Sequence, residues 1–520
     1  MTGVVCSLLF SLLSPWPSQS AKRLEVSIDG VLLPIAVEDL RAWVGSGDRD
    51  RTELSTWLQL LDAESREGLI RLLQAPVLTR SSFGQQLLRS WAAGPLLDAI
   101  GGLMQLTDGD SISSDDVLAT LDALLKQRSS VSTIDLLEAL PGEQLRLDLD
   151  ALLGAAARWR SQLERHQALM SDLGQRQAQP LPPSRSDSGE GSFMQTVLLP
   201  VSHRRYPLRL RLWRPSRGQA DPLWVVLMPG LGGSPDHLQW LAQRLADGGR
   251  SVALLDHPGS DAAAVQALLE GRQPFDGGAA LQQRLLDLDA VLRAQSEQRI
   301  PLPGEEVVLI GHSLGALTAL VATGLRPDPQ VAQRCRLLLA DLPLTNLSRL
   351  LQCELVERDV LTSSNVVVNA AGVVGLNSLG GVIWTSPEPK QPIGPLLLLG
   401  GTLDLITPPL DEQIALLPAL SRHPASQVVV IEGASHFSPI RVEDTRSQKP
   451  EDDLFRLGEE LVGVQPRRVQ EVMAHEITAF LDALGASKAP SRPEGAFSRD
   501  GVQWHRIGPK AADRLVRRYQ

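Results

Sequence analysis

Apolar and polar positions follow two different periods along the chain, and the change falls near residue 174. Before that point, segments such as VEDLRAWV, TELSTWLQLLDAES and SDDVLATLDALLKQ space apolar residues by three or four, as one face of an α-helix does. Ser114, and Ser132 together with Asp135, precede two helical segments and are predicted N-caps. The pattern predicts a small all-helical domain over residues 22–173.

The chain after residue 193 alternates two kinds of pattern. Runs such as MQTVLLPV, YPLRLRLWRP and PLWVVLMPG are typical of strands, and helical runs such as DHLQWLAQRLADGG lie between them. This alternation predicts an α/β domain over residues 194–486, with a mostly parallel sheet and flanking helices. Residues 174–193 are rich in Pro, Ser and Gln and predict a flexible linker. Residues 487–520 show no strand pattern and predict a basic tail or one short amphipathic helix.

The first 21 residues predict a signal peptide. An apolar stretch from Val4 to Leu13 is followed by two prolines and by small residues that suit a cleavage site. No positive charge precedes the apolar stretch, so a first helix of the fold is the alternative. We expect export to the periplasm or secretion, with a cytoplasmic location as the alternative.

Composition narrows the class of protein. The chain has 520 residues and a net charge of −10, which argues against a nucleic-acid surface. No apolar run approaches the length needed to cross a bilayer. Once the leader is removed, Cys335 and Cys353 remain. A disulfide between them and two separate buried thiols both fit the sequence.

The stretch VVLIGHSLGALTAL, residues 307–320, is the first candidate for chemistry. A buried-strand pattern leads into Gly-His-Ser-Leu-Gly, and a helical pattern follows. This order predicts a nucleophile elbow, in which Ser313 sits on a strained turn between the small residues Gly311 and Gly315. Ser313 is therefore the candidate nucleophile.

A serine hydroxyl needs a base to accept its proton. Three histidines follow Ser313 outside the C-terminal tail. His436 comes directly after the β-branched run VVVIEGAS, where a loop leaving the last strand would place it. His423 lies in a polar turn and His475 lies within a helical pattern, so we expect neither to act as the base. His436 is the candidate base.

Two aspartates compete for the role of the acid that orients His436. Asp404 ends the Leu-rich strand pattern GPLLLLGGTLD, one strand before His436. Asp341 lies in RCRLLLADLPLTNLSRLLQC, which we interpret as a helical insertion, because the β-branched run at 365–372 is the better candidate for the earlier strand. We therefore favour Asp404 over Asp341.

The turn PGLGG after an early strand supplies candidate oxyanion donors. We expect the backbone amides of Leu231 and Leu314 to bind a developing oxyanion, with Gly230 and Gly232 letting the backbone approach the substrate. His237 and His257 precede the serine. We expect His237 to line the mouth of the pocket and His257 to order its loop.

The motifs PGLGG, DHPGS, GHSLG, DLITP and GASHF together resemble the dienelactone hydrolase, platelet-activating-factor acetylhydrolase and cutinase-like branch of serine α/β-hydrolases. The resemblance covers residues 194–484 and implies a Ser313–Asp404–His436 triad. It departs from the animal acetylhydrolases, whose acid follows the earlier strand, where this chain offers Asn369. The N-terminal region, with IAVEDLRAWVGSG, resembles a domain of unknown function that precedes such hydrolases in predicted exported bacterial proteins.

These patterns predict a serine hydrolase that cleaves a small carboxylic ester through an acyl-enzyme. The apolar insertion around residues 337–355 favours a lipid-like ester and a role in lipid catabolism. We expect the reaction to need no metal and no organic cofactor, and the sequence identifies no protein partner. A thioesterase, a peptidase or a non-catalytic binding scaffold with the same residues remains an alternative.

Overall fold

The computed structural model divides the chain into two compact units, which are described separately. The first unit comprises residues 1–88 and 96–154, and the second comprises residues 89–95 and 155–520. The structure describes residues 22–28, 31–46, 76–79, 104–106, 112–141, 144–182, 191–216, 221–269, 276–340, 345–363, 366–385, 393–440, 465–485 and 492–520, together with scattered positions between 54 and 74.

An eleven-stranded sheet organises the second unit, with the order β7-β16-β17-β15-β14-β13-β12-β10-β11-β9-β8. Its six central strands, β10 to β15, are parallel to one another, as the alternating pattern predicts, and the strands on either side of this group pair antiparallel to it. The strands are β7 (Gln179–Pro180), β8 (Ser192–Leu199), β9 (Leu208–Pro215), β10 (Leu223–Met228), β11 (Ser251–Leu255), β12 (Glu306–His312), β13 (Gly372–Leu376), β14 (Leu396–Gly401), β15 (Gln427–Ile431), β16 (Gly495–Arg499) and β17 (Val502–Ile507).

Helices cover both faces of this sheet. Successive residues of the central strand β10 point to opposite faces, so Val226 packs in one apolar core and Val225 packs in the other. Strands buried on both faces are continuous apolar runs, which is what LWVVLM shows. The helices are α5 (Gln239–Asp247), α6 (Ala262–Leu269), α7 (Gly277–Ser296), α8 (Leu314–Ala322), α9 (Val331–Ala340), α10 (Ser348–Glu357), α11 (Val360–Ser363), α12 (Leu416–Leu420), α13 (Pro466–Gly485) and α14 (Pro509–Tyr519).

The prediction of an all-helical N-terminal domain is wrong. The first unit has a four-stranded sheet with the order β2-β1-β6-β4 and a second sheet of two strands, β3 and β5. In RLEVSI and LRLD, apolar residues alternate with polar ones, which is the strand period and not the helical one. The elements are β1 (Arg23–Ile28), β2 (Val31–Ala36), α1 (Val37–Ser46), β3 (Pro76–Thr79), β4 (Met104–Leu106), α2 (Ser114–Gln127), β5 (Ser130–Ser132), α3 (Thr133–Ala139), β6 (Gln144–Asp148) and the start of α4 (Leu149–Gly174).

One of the two predicted N-caps is displaced by one residue. Ser132 and Asp135 form a capping box at the start of α3, as predicted. At α2 the cap is Ser113, whose side chain accepts a hydrogen bond from the Asp116 amide, and Ser114 is the first helical residue. The predicted signal peptide at residues 1–21, and most of the helical segments predicted between residues 51 and 103, lie outside the described residues.

The predicted linker and C-terminal tail are both parts of the second unit. Within 174–193, Gln179–Pro180 forms β7, and the Leu181 amide donates to the Ser498 carbonyl. The predicted basic tail instead contains the strands β16 and β17, which extend the sheet beside β15. Its last residues form the amphipathic helix α14, which was one of the two predictions. The division between units falls within α4, whose Leu169 packs in the core of the second unit.

A disulfide-linked pair of helices lies between α8 and β13. Cys335 of α9 and Cys353 of α10 are joined, with Cα atoms 5.3 Å apart. The structure therefore has the disulfide and not the two separate thiols. No helix in the described part of the chain is both long enough and apolar enough to span a membrane.

The earlier strand does not lie where the sequence predicts it. Residues 366–371 of the run at 365–372 form no strand, and β13 is Gly372–Leu376. Asn369 therefore does not end that strand. The residue that does follow it is Asn377.

Candidate active site

Ser313 lies on a sharp turn between β12 and α8, above the carboxyl ends of the central strands. Its backbone has φ 52° and ψ −118°, a conformation that costs a non-glycine residue free energy. The close approach of the chain on both sides explains the flanking glycines. A Cβ on Gly311 would lie 2.2 Å from the Gly315 carbonyl carbon, and one on Gly315 would lie 2.3 Å from the Met228 carbonyl oxygen. The strained turn leaves the Ser313 side chain half-buried and accessible.

His436 approaches the serine from the loop that follows β15. Its Nε2 lies 3.1 Å from Ser313 Oγ, within hydrogen-bond distance. Its Nδ1 lies 3.0 Å from Asp404 Oδ2. The imidazole is almost fully buried, and the ring of Phe437 packs edge-on against it with centroids 5.4 Å apart. The ring is therefore held between a carboxylate on one side and the serine hydroxyl on the other.

Asp404 is a buried carboxylate with more hydrogen bonds than a lone orienting acid requires. Its Oδ1 accepts from the amides of Ile406 and Thr407 at 2.9 and 2.8 Å. Its Oδ2 accepts from Thr407 Oγ1 at 2.5 Å and from Asn377 Nδ2 at 2.7 Å, besides facing His436. Burial by itself raises the pKa of Asp404, but His436 and these hydrogen bonds outweigh it and lower the pKa to about 2. Asp404 is ionised at neutral pH.

The other candidates for the acid and the base either lie away from Ser313 or lie outside the described residues. Asp341 lies outside the described residues. His423 is exposed in a turn, where its Nδ1 accepts from the Ala425 amide. His475 lies on α13 and meets the Trp504 ring edge-on at 6.5 Å. Neither histidine contacts Ser313 in the structure.

The turn after β10 brings the predicted oxyanion donors to the serine. A Cβ on Gly230 would lie 3.1 Å from Ser313 Cβ, so this turn passes directly over the candidate nucleophile. Two other amides of the turn are already used, because Gly232 donates to the Ser260 carbonyl and Gly233 donates to the Gly230 carbonyl. The Leu231 amide has no such acceptor among the described residues.

Leu314 offers the second predicted donor. It is the first residue of α8, and amides in the first turn of a helix have no intrahelical acceptor. The partial positive charge at a helix N-terminus also favours an anion there. Leu231 and Leu314 therefore remain the candidate backbone donors to an oxyanion formed at Ser313. Gly232, at φ +69°, makes the bend that the turn needs.

A buried arginine behind this turn was not predicted from the sequence. Arg284 of α7 is only 1% exposed. Its guanidinium donates to the carbonyl oxygens of Pro229 and Gly230 and to Ser260 Oγ. Burial lowers the pKa of Arg284, and the nearby Asp287 carboxylate opposes that shift. In the sequence Arg284 has the spacing of an ordinary surface charge on an amphipathic helix, so nothing in the pattern singles it out.

The Asp287 carboxylate, one helical turn after Arg284, forms hydrogen bonds with one arginine and two histidines. It accepts from Arg204 Nε at 2.5 Å, His203 Nε2 at 2.8 Å and His257 Nδ1 at 2.9 Å. Burial by itself raises the pKa of Asp287, but these partners lower it to about 2. His257 thus orders its own loop, as expected. His237 helps to cap the short 3₁₀ turn after Gly233, where its Nδ1 accepts from the Ser234 amide.

His312 is a second residue that the sequence analysis did not single out. It precedes Ser313, and its Nε2 lies 2.9 Å from the carbonyl oxygen of His436. Burial, with a smaller contribution from the neighbouring His436, lowers the pKa of His312 to about 3. A neutral His312 with its proton on Nε2 donates to that carbonyl, so it ties the His436 loop to the serine turn.

No group of three or more His, Cys, Asp or Glu side chains that could hold a metal ion occurs within the described residues. Gly230, Gly311 and Gly315 allow close approaches of the backbone around Ser313, and Gly232 has a positive φ in the neighbouring turn. The arrangement as a whole is a hydroxyl, an imidazole and a carboxylate in sequence, with two backbone donors beside the hydroxyl. Such a set can activate a hydroxyl oxygen and stabilise an oxyanion next to it.

Two family models match the chain. One, described as alpha/beta hydrolase of unknown function (DUF1400), matches residues 20–148. The other, described as alpha/beta hydrolase family, matches residues 225–446. No curated protein matches the chain. The narrower resemblance to the dienelactone hydrolase and acetylhydrolase branch stays a prediction.

The second match spans the strands from β10 to β15 and includes Ser313, Asp404 and His436. The match and the parallel sheet agree on the fold, and the family match supports hydrolase activity in general. The DUF1400 match falls on the first unit, whose small sheets are separate from the large one. The chain thus carries a domain with the α/β-hydrolase fold, preceded by a DUF1400 region.

Proposed function

We propose that this protein is a serine carboxylic-ester hydrolase that works through an acyl-enzyme. The observation that carries the proposal is the chain of contacts from Ser313 Oγ to His436 Nε2, at 3.1 Å, and from His436 Nδ1 to Asp404 Oδ2, at 3.0 Å. The order of the residues in the sequence, Ser then Asp then His, is the order found in this fold. Asp404 would hold the His436 tautomer with its proton on Nδ1 and stabilise the imidazolium.

In the first half of the proposed reaction, Ser313 Oγ attacks the ester carbonyl carbon and its proton passes to His436 Nε2. The carbonyl oxygen becomes an oxyanion, which the Leu231 and Leu314 amides bind. When the tetrahedral intermediate collapses, the bond to the alcohol oxygen breaks. His436 gives its proton to the departing alcohol, and the acyl group remains on Ser313.

In the second half, water attacks the acyl carbon and gives a proton to His436. The bond to Ser313 Oγ then breaks, the proton returns to the serine, and the carboxylic acid leaves. The same two amides bind the second oxyanion. In each half of the cycle His436 accepts one proton and donates one. Apart from the substrate and the attacking water, every group that takes part belongs to the chain.

We propose a lipid-like ester as the substrate. Two leucines flank the acid: Leu403 is 44% exposed and Leu405 is 55% exposed. Leu337 on α9 is also exposed, on the disulfide-linked helical pair. The two exposed leucines beside Asp404 support binding of an apolar acyl chain. Hydrolysis of p-nitrophenyl esters of increasing acyl length tests this, and the proposal predicts that kcat/KM rises from acetate to longer chains.

The test of the catalytic proposal is covalent labelling followed by substitution. A fluorophosphonate probe should label the wild-type protein at Ser313 and should fail to label Ser313→Ala. His436→Ala and Asp404→Asn should reduce ester turnover, by about 10⁴-fold in the case of Asp404→Asn. His423→Ala, an exposed histidine of the same unit, is the matched control and should keep full turnover. A folded wild-type protein that neither labels nor turns over any ester would contradict the proposal.

We also propose that the protein is exported. The disulfide between Cys335 and Cys353 supports this, because disulfides persist mainly in oxidising compartments. Cell fractionation with mass spectrometry of the mature N-terminus tests it. A cytoplasmic protein that retains residues 1–21 would contradict the proposal.

A further inference from the structure

The three nitrogens of the Arg284 guanidinium all donate to groups that shape the oxyanion turn. Nη1 donates to the Pro229 carbonyl at 2.7 Å and Nη2 donates to the Gly230 carbonyl at 2.8 Å. Nε donates to Ser260 Oγ at 2.7 Å. Ser260 in turn accepts the Gly232 amide on its own carbonyl. The arginine therefore fixes the turn both directly and through Ser260.

The planar trans peptide relates this contact to the proposed oxyanion donor. The Gly230 carbonyl and the Leu231 N–H belong to one peptide unit, in which they point in opposite directions. Arg284 holds the carbonyl end. On the other side, Gly230 lies against Ser313, because a Cβ on Gly230 would be 3.1 Å from Ser313 Cβ. An arginine that pulls the carbonyl toward α7 thereby turns the Leu231 N–H away from α7.

We propose that Arg284 is a positioning residue that aims and polarises the Leu231 amide as an oxyanion donor. The inference rests on the proposed function, since it assigns Arg284 a part in the same reaction. A hydrogen bond from a charged donor is stronger than one between neutral groups. Hydrogen bonds in a chain also polarise one another, so a guanidinium on the carbonyl oxygen makes the amide at the other end of the peptide a better donor.

The burial of Arg284 argues that the turn needs a cation there. A charged group without water is costly, and a well-packed apolar side chain at this position of α7 would avoid the cost. The chain instead keeps the guanidinium fully hydrogen-bonded to backbone and hydroxyl oxygens. Asp287, three residues later on the same helix, supplies a compensating negative charge, which Arg204 and His257 hold in place. Arg284 and Asp287 are therefore two buried groups of opposite charge behind the turn.

Arg284→Lys is the first test, because an ammonium keeps the charge but cannot bind both carbonyls and Ser260 in the geometry of the planar fork. We expect kcat for a p-nitrophenyl ester to fall by about tenfold to a hundredfold while KM changes by less than about threefold. Affinity for a trifluoromethyl ketone, whose hemiketal oxyanion occupies the same hole, should fall by the same factor as kcat/KM. A purely structural role would not link these two losses.

Ser260→Ala is a milder variant in case Arg284→Lys folds poorly. It removes the acceptor for Arg284 Nε and the weaker hydrogen bond that Ser260 Oγ donates to the His257 carbonyl. We expect a loss of kcat of about threefold to tenfold with KM unchanged. Arg250→Met is the matched control for stability. Arg250 is also buried and pairs with Asp482 and Asp221, away from the turn. We expect it to lower the melting temperature while leaving kcat and inhibitor affinity unchanged.

Two results would overturn the inference. One is a folded Arg284→Lys protein with wild-type kcat and wild-type affinity for the ketone. The other is an Arg250→Met protein that loses as much kcat as Arg284→Lys at the same melting temperature. Failure of the proposed function gives a different result, since either the folded wild type would turn over no ester or Ser313→Ala would retain turnover. If Ser313→Ala is inactive and the Arg284 variants are normal, only the positioning role is wrong.

Discussion

The Asn377 side chain donates a hydrogen bond of 2.7 Å to Asp404 Oδ2, from the end of the strand that neighbours the one carrying the acid. Asn377 is fully buried and has φ 47°, so the backbone there is held in a strained conformation. Asn377 Nδ2 also donates, at 3.4 Å, to the carbonyl oxygen of Ser435, the residue before His436. A neutral donor thus lies at the end of the strand beside the one that carries Asp404.

Asn377→Asp should make turnover dependent on pH in a way that the wild type is not. Two carboxylates at this distance cannot both be ionised at low cost, so one of them gains a raised pKa. When that carboxyl is protonated it donates as the amide does, and when it ionises it repels Asp404. We expect kcat/KM to be about tenfold or more below wild type near pH 8, with the deficit shrinking toward pH 5.5.

Asn377→Ala is the control for that experiment. It removes the donor without adding a charge, so its deficit in kcat/KM should be similar at every pH. The interpretation would be wrong if Asn377→Asp and Asn377→Ala gave parallel pH–rate profiles. The measurement is the ratio of variant to wild-type kcat/KM across the pH range in which the wild type is stable.

The sequence predicts the three candidate catalytic residues, which follow strands, better than it predicts the buried residues that form hydrogen bonds to them. Ser313, Asp404 and His436 each follow a buried apolar run, so periodicity and motif order suffice to place them. Asn377 was missed because β13 contains two glycines. A Cβ on Gly372 would lie 2.7 Å from a methyl carbon of Leu484, so packing requires a residue that is uncommon in strands.

The C-terminal strands were missed for an electrostatic reason. Arg506 lies in β17 and is nearly buried, so the segment does not look like a strand of a covered sheet. Glu476 of α13 accepts from the Arg506 guanidinium and from Trp504 Nε1, and it also pairs with Arg492. A charge that a distant residue neutralises cannot be recognised as buried from local sequence. Arg284 was missed for the same reason.

Gly315→Ala should prevent formation of the serine turn. The added methyl group would lie 2.3 Å from the Met228 carbonyl oxygen and 2.6 Å from the Pro229 carbonyl oxygen, both of which are backbone atoms. We expect a loss of at least about 2 kcal/mol in the free energy of unfolding, with turnover abolished. Gly45→Ala, on α1, meets no atom within 4 Å and should be neutral or slightly stabilising. A Gly315→Ala protein with wild-type stability would contradict the packing argument.

Loss of the disulfide should destabilise the helical pair α9–α10. The bridge closes a loop with a sequence separation of 18 residues, for which the chain-entropy model gives about 3 kcal/mol. We expect the double variant Cys335→Ala/Cys353→Ala to melt at a lower temperature than oxidised wild type. A reductant should bring wild type down to the same value and leave the variant unchanged. Equal melting temperatures for oxidised wild type and the double variant would show that the bridge is not formed or not stabilising.

Glu412 should matter more to stability than the acidic residue beside it. Every hydrogen-bond partner of the Glu412 carboxylate donates to it, so the NH₂ group of a glutamine would face donors and lose those hydrogen bonds. We therefore expect Glu412→Gln to lose about 3 kcal/mol in the free energy of unfolding. Asp411→Asn, which loses a partly exposed ion pair with Arg349, should cost less than about 1 kcal/mol. Similar losses in the two variants would contradict the prediction. The fully buried Glu412 carboxylate accepts from Asn346 Nδ2, Ser348 Oγ, Gln352 Nε2 and the amides of Gly380 and Gly381.

Stability of the second unit should fall as the pH drops below about 6.5. Burial lowers the pKa of His257 to about 4 and that of His312 to about 3, against 6.5 for an unfolded histidine. Between about pH 6.5 and pH 4 the unfolded chain therefore binds more protons than the folded one, so acidification favours unfolding. Each histidine contributes up to about 1.4 kcal/mol per pH unit in that window. The carboxylates Asp287 and Asp404, with pKa values of about 2, add to the loss only below about pH 4.

Urea unfolding followed by tryptophan fluorescence, between about pH 7 and pH 5, measures this dependence. His257→Asn removes one of these buried imidazoles while leaving an amide that can donate to Asp287, so the slope of unfolding free energy against pH should become shallower. His423→Gln changes an exposed histidine and should leave the slope as in wild type. If His257→Asn unfolds with the wild-type slope, the fold does not hold the His257 imidazole in its neutral form.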